Sequence, residues 1–336
     1  MVICIKGKGR VPGFTAVVIV IMLAAAGCRR DAQTKDARIV EFACEFSVTN
    51  VPETATNVIA WAPLPARHCF QEITGLEIKT DYPYVIVTNA TYSNRIARFD
   101  FSSSAELTNA QRSASITFGA VRSSFNVLKG DQAPDYALHL KKDFFLHPIT
   151  NVPLKGGISD EARKIAEDIE DPLARASKLY DQLVASIEYH KSGNRVRREG
   201  TVYSDAGNGN CADYNSLFIT EARAMDIPVR LIVGFLLPAG SNGSIDHYHC
   251  WSEAYIAGTG WLPVDVSAVC KRPEKKEELF GGLDADRLAF TVGRKIELPG
   301  AQREPLDFFI YPYVEVDGKE HDGISKTFSF SRGLPE

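Results

Sequence analysis

The sequence lacks several features that would place it in a class at once. It has 336 residues and no apolar run of about 20, the length that a membrane-spanning helix needs. Its net charge is only −4, so nothing indicates a nucleic-acid partner. Its 17 Pro and 25 Gly exclude a collagen-like or low-complexity chain, and no repeat of about 20–50 residues indicates a solenoid. An ordinary globular composition remains, 45% hydrophobic and 24% charged, with a length typical of about two domains.

Residues 1–28 have the pattern of a secretory signal peptide. Lys6, Lys8 and Arg10 precede an uncharged apolar run over 14–26, which is too short to cross a bilayer but suits a signal. The run ends in Leu-Ala-Ala-Ala-Gly before Cys28, which resembles the lipobox of bacterial lipoproteins. The resemblance implies cleavage before Cys28, lipidation of its sulfur and anchorage to a bacterial membrane, on the periplasmic or cell-surface face. A short membrane anchor or a simple cleaved signal is the alternative.

Export changes the interpretation of charge and cysteine. Cleavage before Cys28 removes three basic residues and no acidic ones, which leaves a net charge of 35 − 42 = −7. It also removes Cys4, and lipidation occupies Cys28. Five cysteines then remain: Cys44, Cys69, Cys211, Cys250 and Cys270. An odd number in an oxidising compartment suggests at least one free thiol, while a Cys44–Cys69 disulfide stays open.

The mature chain divides into two parts by its pattern. Residues 29–36 are polar and predict a tether. Over 37–128, short alternating apolar segments separated by turn residues predict an antiparallel β-sandwich. Residues 129–157 contain Pro and Gly and predict a linker to a second domain over 158–336.

The second domain has helices first and strands after, which is typical of the α+β class. Predicted helices begin at Ser159 or Asp160 and at Asp171-Pro172, and a third covers 211–225. Predicted strands follow over 229–237, 250–256, 261–266, 287–292, 308–316 and 327–331, with a hairpin turn at Asp317-Gly318.

Cys211 is the candidate nucleophile. It follows a glycine-rich stretch and begins a predicted helix that Asn210 can cap. The partial positive charge at a helix N-terminus stabilises a thiolate, which is the reactive form of cysteine. A nucleophilic thiol also needs a base and a group that orients the base. His249, at the start of one predicted strand, and Asp265, at the end of the next, can supply these.

Whether His249 and Asp265 meet depends on the register of the hairpin. An odd loop, such as 257–259, would place Asp265 opposite Trp251 and therefore on the face of His249. A loop of two or four residues would put them on opposite faces unless a bulge intervenes. His247 is the competitor, because it has the same parity as His249; we expect it to face away from the sulfur or to precede the strand.

Three sequence blocks carry a family resemblance. The first is Gly209-Asn210-Cys211 with the following Leu217-Phe218, Arg223-Ala224, Ile227-Pro228-Val229-Arg230 and Gly234-Phe235. The second is His249-x-Trp251-x-Glu253, and the third is Trp261-Leu262-Pro263-Val264-Asp265. In this order they resemble the transglutaminase-like superfamily over about 160–320. The resemblance implies a papain-like fold with the cysteine helix on an antiparallel sheet, preceded by the sandwich. It also implies that Cys211 is the nucleophile, His249 its base and Asp265 the orienting group. Cys250 replaces the usual small residue.

The predicted function is a cysteine enzyme that acts on amide bonds through an acyl-enzyme, resolved by water or by an amine. Export indicates a protein or a cell-wall peptide as substrate, and no cofactor is expected. The alternative is a catalytically silent binding or scaffold lipoprotein. A zinc site built from His247, His249, Cys250 and Cys270 is disfavoured, because successive strand residues point to opposite faces. Glu253 is expected to be a structural hydrogen-bond acceptor.

Overall fold

The structure, a computed structural model, describes residues 36–102, 111–135, 142–148, 156–186 and 211–333. The predicted signal peptide with Cys28, all of the tether except Asp36, and Asn210 lie outside these ranges. The described strands are β1 Ala37–Val48, β2 Val58–Pro63, β3 Gln71–Lys79, β4 Tyr84–Thr88, β5 Arg95–Asp100, β6 Ser113–Ser123, β7 Phe125–Asn126, β8 Val229–Leu236, β9 Asn242–Ser244, β10 Tyr248–Ile256, β11 Gly260–Val264, β12 Gly282–Leu283, β13 Arg287–Val292, β14 Tyr313–Val316, β15 Lys319–Glu320 and β16 Ile324–Arg332. The described helices are α1 Gly157–Ala166, α2 Pro172–Ser186, α3 Cys211–Ala224 and α4 Val266–Lys271. The predicted α+β class is confirmed.

Two five-stranded antiparallel sheets form the sandwich. Their strand orders are β3-β6-β1-β16-β9 and β15-β14-β2-β5-β4. The alternation in β1 turns Phe42 and Phe46 inward and Glu41 and Glu45 outward. Phe46 reaches the second sheet, where its ring lies 5.4 Å from that of Phe99. The two inner faces therefore share one aromatic core.

The strand pairing crosses the boundary predicted between 37–128 and 158–336. β16 pairs with β1 along nine residues, and β14 pairs with β2. Both C-terminal strands were expected in the sheet of the second domain. The difference has a physical reason: alternation shows which face of a strand is buried but not which backbone completes its hydrogen bonds. The Asp317-Gly318 turn was predicted correctly and joins β14 to β15.

The second part is an antiparallel sheet of order β11-β10-β8-β13 with helices on one side. Helix α3 packs against β10 and β8, and the other three helices pack around α3. Most of α3 is buried, which explains why its apolar residues are not confined to one face. This packing sets the N-terminus of α3 beside β10.

The two parts share one core rather than meeting at a polar surface. On the inner face of β1, the ring of Phe42 lies 5.5 Å from that of Phe235 in β8 and 5.4 Å from that of Phe290 in β13. The predicted start of α2 is also confirmed, since the Asp171 carboxylate accepts a hydrogen bond from Ala174 N at 2.8 Å. No helix in the ranges given above is both long and apolar enough to cross a membrane.

Candidate active site

Cys211 is the first residue of α3 and is partly exposed. Its helix is fixed to β10 by Asn215, one turn further along. Asn215 Nδ2 donates to the Cys211 carbonyl oxygen at 2.7 Å and to the Cys250 carbonyl oxygen at 3.0 Å. Asn215 Oδ1 accepts from Ser252 Oγ at 2.8 Å. One buried amide thus holds the sulfur-bearing turn of the helix against the strand that carries His249.

The hairpin has the odd loop that the sequence argument required. Ser252 pairs with Val264 and Ile256 pairs with Gly260, so the loop is 257–259. Continuing this register places Asp265 on the face of His249. His249 Nε2 lies 2.7 Å from Asp265 Oδ2. Since Nε2 is occupied, Nδ1 is the ring nitrogen left for the hydrogen bond between His249 and Cys211.

Asp265 ends the hairpin and begins α4. Its Oδ1 accepts from Ser267 Oγ at 3.1 Å and from Ala268 N at 3.0 Å, which is an N-cap arrangement. Its Oδ2 accepts from His249 and also from Arg287, whose Nη2 and Nε lie 2.7 Å and 3.0 Å away. The short helix α4 was missed, because a strand was predicted through 266. The Asp265-x-Ser267 sequence was the available signal for a helix start.

Comparison with protein families finds a match over the part of the chain that contains this site. Residues 160–266, which include Cys211, His249 and Asp265, match the family model described as the transglutaminase-like superfamily core. The chain carries a transglutaminase-like core.

Relatives of the chain are distant, but the matches extend over most of its length. An uncharacterized protein of Haemophilus influenzae is 25% identical, and the match covers 90% of this chain and 94% of that protein. A solved structure of a candidate cysteine protease from Cytophaga hutchinsonii has a TM-score of 0.52 at 16% identity, over 90% of this chain and 93% of that one. The periplasmic domain of TgpA from Pseudomonas aeruginosa has a TM-score of 0.35 at 14% identity, over 70% and 91%. The Cytophaga structure supports the fold assigned above.

The environment of the transglutaminase-like core favours a thiolate at Cys211. The pKa of Cys211 lies well below its ordinary value, first because the Cys250 thiol donates a hydrogen bond to the sulfur. Burial acts in the opposite direction, and the hydrogen bond and charge of His249 lower the pKa further. The helix N-terminus adds to these effects. A stabilised thiolate beside an imidazole is the arrangement that nucleophilic cysteine chemistry needs.

His249 is held in its protonated form. Burial by itself lowers the pKa of His249, but the charge and hydrogen bond of Asp265, together with Cys211, raise it to about 9. The pKa of Asp265 is held far below its ordinary range: burial raises it, and His249 and Arg287 reverse that effect. Burial also raises the pKa of Cys250 well above its ordinary value. Cys250 therefore stays a thiol that can donate to Cys211.

The remaining residues considered from the sequence for roles in catalysis, metal binding or a disulfide are not placed in the candidate active site. His247 is exposed and immediately precedes β10, as predicted. Glu253 accepts from Arg230 Nε at 2.8 Å in a buried ion pair, so its predicted structural role is confirmed. Cys44 is buried in β1 as a free thiol. The side chain of Cys270, proposed for the disfavoured zinc site, is outside what the structure describes.

Two residues of the site were not predicted. Arg287 begins a fully buried strand, and a charged residue in such a strand was a readable signal for a buried ion pair. Asn215 interrupts the apolar pattern of a buried helix in the same way. Neither signal names a partner, because Asp265, which Arg287 binds, and Cys250 and Ser252, which Asn215 binds, belong to other elements of the fold.

Proposed function

We propose that this protein is an exported, lipid-anchored cysteine enzyme that acts on amide or peptide bonds through an acyl-enzyme. Cys211 is the nucleophile, His249 the general acid and base, and Asp265 the group that orients His249. The observation that carries the proposal is the 2.7 Å contact between His249 Nε2 and Asp265 Oδ2, which leaves the other ring nitrogen for Cys211. The lowered pKa of Cys211 supports the same roles.

The reaction begins from the Cys211 thiolate and the His249 imidazolium. The sulfur attacks the amide carbonyl carbon, and the backbone N–H of Cys211, at the start of a helix, offers one donor to the developing oxyanion. His249 gives its proton to the leaving amine, so the C–N bond breaks and a thioester remains. Neutral His249 then takes a proton from water or from a second amine as that molecule attacks the thioester. Hydrolysis or acyl transfer regenerates the thiolate and the imidazolium.

The location and the partners follow from the signal sequence. Lipidation at Cys28 would tether the enzyme to a membrane of the cell envelope, where proteins and cell-wall peptides are the available amide substrates. Replacing Cys28 by Ser should leave the precursor unprocessed or release the protein from the membrane fraction. A mature protein with an unmodified N-terminus downstream of 28 would contradict the anchor.

Mass spectrometry of the intact protein tests the chemistry. The protein is incubated with a peptide library, with and without a small primary amine. We expect a thioester adduct on Cys211, and peptide products that carry water or the amine. Cys211→Ala should remove adduct and products, while Cys44→Ala, which removes a buried thiol in the sandwich, should keep both. Peptides that bind with no adduct and no product would favour the scaffold lipoprotein instead.

A further inference from the structure

Arg287 is a buried cation that the proposed reaction does not use. It begins β13, and its side chain has no exposed surface. Its Nη2 and Nε both donate to Asp265 Oδ2, the oxygen that also accepts from His249. Its Nη1 donates to Asp284, and its carbonyl oxygen accepts from Arg122 Nε at 2.7 Å. Hydrogen bonds to Asp265 and Asp284 therefore fix the guanidinium on two sides, and the hydrogen bond from Arg122 fixes the backbone of Arg287.

The positive charge next to the Asp265 carboxylate changes during the proposed reaction. While His249 is an imidazolium, it is a counter-ion for the buried carboxylate. When His249 has given its proton to a leaving group, that counter-charge is lost and a buried carboxylate by itself would tend to take up a proton. An arginine keeps its charge at every relevant pH and binds a carboxylate through two donors. Arg287 is placed to supply a permanent charge to Asp265.

We propose that Arg287 is a positioning residue, the fixed counter-ion that keeps Asp265 ionised and correctly aimed while His249 cycles between its protonated and neutral forms. The inference rests on the proposed function, because it gives Arg287 a role only through His249. It also makes Asp284 a second, outer member of the same series of charges. The series then runs from Asp284 through Arg287 and Asp265 to His249 and Cys211.

The sign of the effect follows from the charges. Removing the positive charge of Arg287 favours the imidazolium and raises the pKa of His249, whereas removing the negative charge of Asp284 lowers it. The titratable or charged groups that surround His249 and its partners come from every packed element. They are Cys211 and Asp213 of α3, Tyr248 and Cys250 of β10, Asp265 after β11, Arg287 of β13, Arg294 after it, and Tyr311. Apart from Arg287 itself, none of these groups is altered by the variants below.

The experiment measures the rate at which iodoacetamide labels Cys211 in the full chain, read by peptide mass spectrometry from about pH 4 to about pH 10. The wild-type profile should show a step at low pH, where the thiolate forms, and a second near pH 9, where His249 loses its proton. In Arg287→Gln the upper step should move to higher pH by about one unit, and in Asp284→Asn it should move to lower pH. Arg287→Lys keeps the charge and should restore the wild-type position.

Asp286→Asn is the matched control. Asp286 adjoins Arg287 in sequence but pairs with Arg38 Nη1 at 2.6 Å, so the same loss of charge should leave the upper step unmoved. An upper step that stays in place or falls in Arg287→Gln overturns the proposal, and so does one that stays or rises in Asp284→Asn. If Arg287→Gln does not fold, the Asp284→Asn result decides, because Asp284 lies at the partly exposed end of the pair. A wild-type profile without the low-pH step would instead contradict the proposed function.

Discussion

Asn215 allows a quantitative test of how helix position controls thiol reactivity. Asn215→Ala removes three hydrogen bonds to or from oxygen: two from Nδ2 to the carbonyl oxygens of Cys211 and Cys250, and one from Ser252 to Oδ1. It also removes a longer, weaker contact of 3.6 Å from Nδ2 to Cys250 Sγ. At about 1 kcal/mol for each net hydrogen bond, the free energy of unfolding should fall by about 3 kcal/mol. An unfolding entropy of about 2.1 cal/mol/K per residue makes 1 kcal/mol correspond to roughly 1.5 °C in a chain of 336 residues, so the melting temperature should fall by about 4 °C.

The same substitution should reduce the reactivity of Cys211. Asn215 connects the first turn of α3 to β10, so its loss frees the sulfur to move away from the Cys250 thiol and from His249. A pKa of Cys211 higher by one unit would lower labelling by iodoacetamide by about tenfold at a pH below the pKa of the wild-type thiol. The assay is the labelling rate at Cys211 in folded protein, well below the melting temperature of each variant.

Thr220→Val is the control for a general loss of helix stability. Thr220 Oγ1 donates to the Ser216 carbonyl oxygen at 2.8 Å, within the same buried helix. This variant should lower the melting temperature by a smaller amount and leave the labelling of Cys211 unchanged. The reasoning is refuted if Asn215→Ala is destabilised as expected while Cys211 labels at the wild-type rate, because the amide would then have no influence on the thiol.

Three further predictions concern the same sheet. In Asp265→Asn the charge that chiefly opposes burial is lost, so the pKa of His249 should fall from about 9, and labelling of Cys211 at acidic pH should decrease. Labelling as in the wild type would contradict the assigned contact between His249 and Asp265. Cys250→Ala removes the thiol that donates to Cys211, so the low-pH step in the labelling of Cys211 should move to higher pH. Cys250→Ser keeps a donor and should show the step closer to its wild-type pH. An unmoved step in Cys250→Ala would show that the Cys250 thiol is not a significant donor. Gly234→Ala would place a Cβ 1.8 Å from the Leu288 carbonyl oxygen, so β8 and β13 must separate. Thermal melting should show a free energy of unfolding lower by roughly 1–3 kcal/mol. Gly157→Ala, whose Cβ would meet nothing within 4 Å, is the control and should leave the stability unchanged.

Local pattern determined much of the candidate site. A helix start is set by the residues beside it, which is why the sequence places Cys211 at the head of α3. A hairpin register is set by the parity of its loop, so the face shared by His249 and Asp265 followed from the three residues 257–259. The roles assigned to Cys211, His249 and Asp265 are predictions that the labelling and mass-spectrometry experiments test.

Only the tertiary structure decided which distant segments meet. The alternation in β1 identifies its buried face but not its neighbour. The residues of β16 that pair with β1 are more than 270 positions further along the chain, and the two strands become neighbours because their apolar faces join the same core. The same holds for Arg287, whose charge in a buried strand requires a partner without naming Asp265. Hydrogen bonds and ion pairs within one turn or one hairpin are fixed by sequence spacing. Those between elements depend on how the whole chain packs, and in this protein they hold the orienting carboxylate in place.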